Sequence, residues 1–210
     1  MLHRLAVKLK PHLIDMQGRV VALRIGKELG LHVDSVHLIT VYTLEGLSLE
    51  QAQEVMDQAL LHDPVLHDVS LQPLAQDFDW ILEIGFRPGV TDNEGRVAAE
   101  TVNNGLSLGQ NRDVAVYSAV QYLISGSLSR GQVQSIATDL LANELIERYA
   151  LKSGQEWELE PGFSAQVPRV SGKSTDQVEV ISLLGLDDAD LQRLSQERVL
   201  ALSPAELRTI

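Results

Sequence analysis

The chain has 210 residues, one ordinary domain or two small ones at roughly 100–200 residues each, and its 44% hydrophobic share argues against global disorder. A net charge of −12, with no Lys/Arg cluster, argues against a nucleic-acid partner and against adsorption to an anionic membrane. The absence of Cys removes any disulfide framework, thiolate nucleophile or Cys-type zinc site. No apolar run approaches the ~18–20 residues of a membrane span, and Lys8 and Lys10 interrupt any signal-type apolar segment, so a cytoplasmic location is expected.

Leu5, Val7 and Leu9 alternate with Ala6, Lys8 and Lys10, the period of a half-buried strand. Pro11 cannot donate to a ladder and ends it. Asp15 stands where a helix N-cap belongs, and Gly30 is placed to close that helix. Val36–Tyr42 is β-branched and aromatic and reads as strand, either continuous or bent into two. Ser48 caps a helix with Ala52, Val55, Met56 and Ala59 on its apolar side. A short strand is expected at Val65–Leu71. After the junction Gln72–Asp79 the series repeats. Leu82–Phe86 is a strand, Asp92 an N-cap, Val114–Ile124 a strand, and Ser129 caps a helix with Val133, Ile136, Ala137 and Leu140. A last strand is expected at Leu145–Lys152. Glu160–Lys173 reads as extended, Val178–Leu183 as a short strand and Asp187–Ala201 as a helix. Ser203-Pro204-Ala205-Glu206 is a full helix-start signal followed by only four residues, so the chain is expected to be the front of a longer one.

Leu5–Leu23 aligns with Leu82–Glu100 at an offset of 77, with seven of nineteen positions identical. The match continues at an offset of 80, so a net three-residue insertion is expected near Gly105–Asn111. The expected fold is therefore α+β. Two tandem β-α-β(β)-α-β repeats, 1–77 and 78–155, form an internal pseudo-dimer with antiparallel sheet. A C-terminal extension, 156–210, carries one or two helices and leads into a linker domain. One such unit alone buries only about 60% of its unfolded surface, so joining two relieves a marginal core. The charge is spread as −4, −3 and −5 over these segments, so no part is basic.

The motifs that carry chemistry are weak. Gly172-Lys173-Ser174 resembles the end of a phosphate loop, but Val167 stands where the first Gly is needed. His62-Asp63 and His67-Asp68 are five apart with Pro64 between, a poor metal spacing, so no metal site is expected. Asp15 and Asp92 are candidate bases, but no acid or nucleophile recurs beside them, and the N-cap role is favoured. Gly85-Phe86-Arg87-Pro88-Gly89-Val90 has a faint likeness to the anion loop of acylphosphatase-type enzymes, with Lys10-Pro11 as its weaker counterpart. The candidate contact or anion positions are thus Lys10, Arg19, Arg87 and Arg96, and the structural repeat positions are Pro11, Asp15, Gly18, Pro88, Asp92 and Gly95. No catalytic residue is expected.

The stretch from Asp77 through Trp80, Gly85-Phe86-Arg87-Pro88-Gly89 and Asp92 to Gly95-Arg96 resembles the N-terminal region of a long bacterial form of phosphoribosylformylglycinamidine synthase, in which two PurS-like units precede the synthetase core. Leu140-Leu141-Ala142-Asn143-Glu144-Leu145 is similar to the end of the free-standing PurS subunit, and Leu9-Lys10-Pro11…Asp15…Gly18 in the first copy also resembles that subunit. His12 departs from the family, where Gly is usual. The resemblance implies a role in step four of purine biosynthesis, an ATP- and glutamine-dependent ligase. ATP and Mg would sit on the synthetase core and none on this chain. The implied partners are the synthetase core, in cis or trans, and a glutaminase, with homo-oligomerisation possible. The implied work is to bridge the two and assist ammonia transfer. The alternative is a free-standing ferredoxin-like metabolite-binding regulatory module. A hydrolase built on Arg87 is a third reading.

Overall fold

A computed structural model describes residues 1–108, 114–168, 181–198, 200 and 202–209. The first half contains β1 (Leu2–Leu9), α1 (Met16–Leu29), β2 (Ser35–Glu45), α2 (Leu49–Asp57) and β3 (His67–Ser70). The second contains β4 (Trp80–Phe86), α3 (Asn93–Gly105), β5 (Ala115–Ser125), α4 (Arg130–Ser135) and β6 (Glu147–Ser153). Helix α4 runs on into a π-helical turn, Ile136–Leu141, closed by Ala142 N–H donating to Ala137 O at 2.7 Å. Three more helices follow: α5 (Gly154–Leu159), α6 (Asp188–Glu197) and α7 (Pro204–Leu207). The Gly172-Lys173-Ser174 loop lies outside the described residues, as do 178–180 of the expected strand at Val178–Leu183, whose remaining residues 181–183 are not in a strand, and 109–111 of the expected insertion.

The strands form one six-stranded antiparallel sheet in the order β3-β1-β2-β5-β4-β6. The centre is an eleven-residue pairing of β2 with β5, from Ser35↔Ser125 to Glu45↔Ala115. Neither strand bends into two. Their β-branched and aromatic run is unbroken by Gly or Pro, so nothing interrupts the ladder.

Alternation along each strand sorts side chains to two faces. Leu5, Val7, Val36, Leu44, Leu82, Ile84, Val116 and Ile124 lie on the face that carries α1 to α4. Each helical layer draws on both halves. Ala52 and Val55 of α2 share a cluster with Ala98 and Val102 of α3, over Leu5, Val7, Leu44 and Val116. Ile25 of α1 shares another with Ile136 of the π turn, over Val36 and Ile124. The opposite face carries none of α1 to α4. Ala6, Ile39, Val41, Ile81 and Leu123 are covered there by Leu74, Ala75 and Phe78 of the junction and by Trp157 of α5 and Phe163. Trp157 meets both Phe78 and Phe163 edge to face, with ring centroids 5.7 Å apart in each contact.

By contact density the chain divides into Met1–Val170 and Ser171–Ile210. In the second unit α6 and α7 are tied by Ser195 Oγ donating to Leu202 O at 2.7 Å and by the ion pair Arg208–Asp188. Ser203 and Glu206 form the capping box that starts α7. Among the described residues no helix is long and apolar enough to cross a membrane.

Candidate functional site

The repeated residues sit at two matching corners of the sheet. Asp15 caps α1 by accepting from Gly18 N–H at 2.7 Å, and its other oxygen accepts from Leu38 N–H at 2.8 Å. Asp92 caps α3 through Gly95 N–H at 2.7 Å and accepts from Ser118 N–H at 2.6 Å and Ser118 Oγ at 2.9 Å. Leu38 is the first β2 residue beyond the β1 ladder, which stops at Lys8↔Ile39. One carboxylate therefore satisfies an orphan helix N–H and an orphan strand N–H together. The glycines make that closeness possible. A Cβ on Gly18 would stand 2.0 Å from Val36 O, and one on Gly95 2.3 Å from Val116 O. Both carboxylates thus serve as acceptors within the fold, Asp15 for backbone donors and Asp92 for backbone donors and the Ser118 hydroxyl.

The four candidate cations do not converge. Lys10 Nζ donates to Pro64 O at 2.7 Å, and Lys10 N–H to Leu66 O at 3.0 Å. Arg87 Nε donates to Glu147 O at 2.8 Å, and Arg87 N–H to Ile146 O at 2.9 Å. Each ties the end of an inner strand to the turn that leads into an edge strand. The loop through Pro11 and that through Pro88 and Gly89 are held by the same device. Because β1 and β4 run in opposite directions with two strands between them, Lys10 and Arg87 lie at opposite ends of the sheet. Arg96 pairs with Glu100 at 3.2 Å on the surface of α3. Arg19 has no partner among the described residues and lines a cavity of about 610 Å³ between α1 and the start of β2. His37 Nδ1 lies 3.9 Å from Asp15 Oδ2 at the edge of this cavity.

A second polar cluster lies on the face opposite α1 to α4, and pattern reading missed it. Glu83, only 6% exposed, pairs with Arg4 and accepts from Gln121 Nε2 at 2.7 Å. Arg4 also donates to Phe163 O at 3.1 Å. Arg148 Nε donates to Phe86 O at 3.2 Å, and burial pulls its guanidinium below the usual arginine range while Glu83 acts in the opposite sense. A polar residue between Leu82 and Ile84 reads as solvent-facing. It is buried here because the chain after β6 folds back over that face. All three charges are held by one another or by backbone carbonyls, which is the arrangement of a structural ion network.

Tyr42 crosses between halves, its hydroxyl donating to Glu94 Oε1 at 2.8 Å, and burial pushes its ionisation up. His67 Nδ1 accepts from Asp63 N–H at 3.2 Å, while His62 Nδ1 is buried without a partner and burial holds that ring below its ordinary range. Among the described residues no group of three or more His, Asp or Glu is placed to hold a metal ion. No acid, base and nucleophile stand within reach of one another at any of these places. What the arrangement can do is hold its own elements together and offer one open, apolar-walled cavity with a single cation.

No protein-family model and no curated protein matches the chain.

Proposed function

We propose that this chain is the PurS-like scaffold portion of phosphoribosylformylglycinamidine synthase. In this reading its two halves, 1–77 and 78–155, are repeats of one unit that form an internal pseudo-dimer, and 156–210 leads toward a linker domain. The observation that carries the reading is the doubled corner. Asp15 with Gly18, and Asp92 with Gly95, make the same paired bonds to helix and strand in two β-α-β-α-β halves joined through β2 and β5. The sequence likeness around Asp77–Arg96 supplies the family. The chain binds a synthetase core, in cis or trans, and a glutaminase in the cytoplasm, bridges them and assists ammonia transfer. It adds no reacting group, and ATP and Mg belong to the synthetase core.

The experiment is gel filtration of the chain with a synthetase core and a glutaminase of this enzyme class, with and without ATP, Mg and glutamine. Co-elution of all three is expected. Separate elution under every ligand condition overturns the proposal. The alternative, a metabolite-binding regulatory module, draws on one observation, the cavity beside Arg19. The hydrolase reading draws on Arg87, whose Nε donates to Glu147 O.

A further inference from the structure

We propose that the cavity between α1 and the start of β2 binds an amphipathic monoanion, a small molecule with an apolar body and one carboxylate, and that Arg19 is its counter-ion. This is independent of the scaffold role.

The cavity measures about 610 Å³, within the roughly 300–1,000 Å³ of small-molecule sites. Its walls include Ile14, Ala22, Leu23, Val33 and Val36. Ile14 is 59% exposed and Leu23 73%, so apolar area is left open to water at the rim. The second half shows what is missing. On α3, Arg96 stands four residues after the cap Asp92, and Glu100 four residues further neutralises it at 3.2 Å. On α1, Arg19 stands four residues after the cap Asp15, but the next position on that stripe is Leu23. Where α3 has the ion-pair partner α1 has an apolar wall, and the guanidinium has no partner among the described residues.

The two carboxylates nearby do not take its place. Asp15 holds two backbone N–H groups and faces His37. Asp34 faces His32 at 3.5 Å. A guanidinium binds a carboxylate through a two-pronged hydrogen bond, stronger beside apolar walls than in open water. The apolar body contributes in proportion to the area it covers. A neutral lipid uses only the walls, and a small hydrophilic acid only the cation. One cation with Asp34 close by disfavours a dianion such as phosphate.

The test uses the full chain and octanoate as probe, with octanol and acetate as the two half-ligands. Titration calorimetry gives affinity and backbone amide NMR gives place. The expected result is saturable one-site binding of octanoate that shifts the Ala22, Val33 and Val36 amides. Octanol and acetate bind at least about tenfold more weakly. Arg19→Gln weakens octanoate about tenfold, Leu23→Glu does the same by giving Arg19 an internal partner, and Arg96→Gln leaves binding unchanged. Three results overturn the proposal: no saturable octanoate binding, wild-type affinity in both Arg19→Gln and Leu23→Glu, or shifts centred on Trp157 and the opposite sheet face.

Discussion

Asp15 and Gly18 act as one device, and so do Asp92 and Gly95. The carboxylate closes two orphan N–H groups, and the missing Cβ lets the helix start lie against a strand carbonyl. An isolated N-cap contributes about 1 kcal/mol, but a clash at 2.0 Å with a backbone oxygen leaves the helix nowhere to sit. Gly18→Ala is therefore expected to cost more than about 3 kcal/mol. Gly26 lies on the exposed side of the same helix, with its nearest atom 3.8 Å from a built Cβ. Gly26→Ala is expected to stabilise by about 0.5–1 kcal/mol, because Ala loses less backbone freedom in a helix than Gly. Urea unfolding of the two variants checks both signs. The N-cap role was legible in sequence, since Asp precedes a helical pattern twice. The second bond, to Leu38 or Ser118, was not, because it depends on where a ladder stops in space.

At the scale of elements, the helices that face the sheet follow their apolar spacing and their caps closely. Ser48 and Ser129 each make a full capping box. The π turn after α4 has no such local signature. It brings Ile136 over Ile124 and Ala137 over Leu82 and Ile84, so packing rather than propensity sets it. Helix α5 was also absent from the pattern, being six residues long and burying one large apolar side chain. That side chain is Trp157, 7% exposed, which with Phe163 seals the sheet face that α1 to α4 leave open. Trp157→Ala is expected to cost about 3–5 kcal/mol. It should also speed proteolysis across 160–168, while the helical face keeps its hydrogen-exchange protection. Uniform loss of protection over the whole sheet would contradict this division of labour.

At the scale of the molecule, neither half encloses its own core. The layers α2 with α3 and α1 with the π turn each span both halves, and β2 and β5 are each other's neighbours over eleven residues. Cutting between Gln76 and Asp77 would open both helical clusters and expose two long strand edges. Fragments 1–76 and 77–168, produced apart, are each expected to melt without cooperativity by circular dichroism. Mixing them should restore one transition. A cooperative melt of either fragment alone would count against a shared core.

The period of every long element, most of the caps and the doubling of Asp-x-x-Gly-Arg are written in the order of residues, because they depend on neighbours a few positions away. That the halves join edge to edge through β2 and β5 is set by the three-dimensional fold. It alone buried Glu83 against Arg4, tied Lys10 and Arg87 to backbone carbonyls, and left Arg19 with no side-chain partner among the described residues. Those outcomes depend on which strands become neighbours and which segments fold back over them, and no local spacing encodes that. The opening balance of 17 cations against 29 anions is therefore better read cation by cation, by what each one touches.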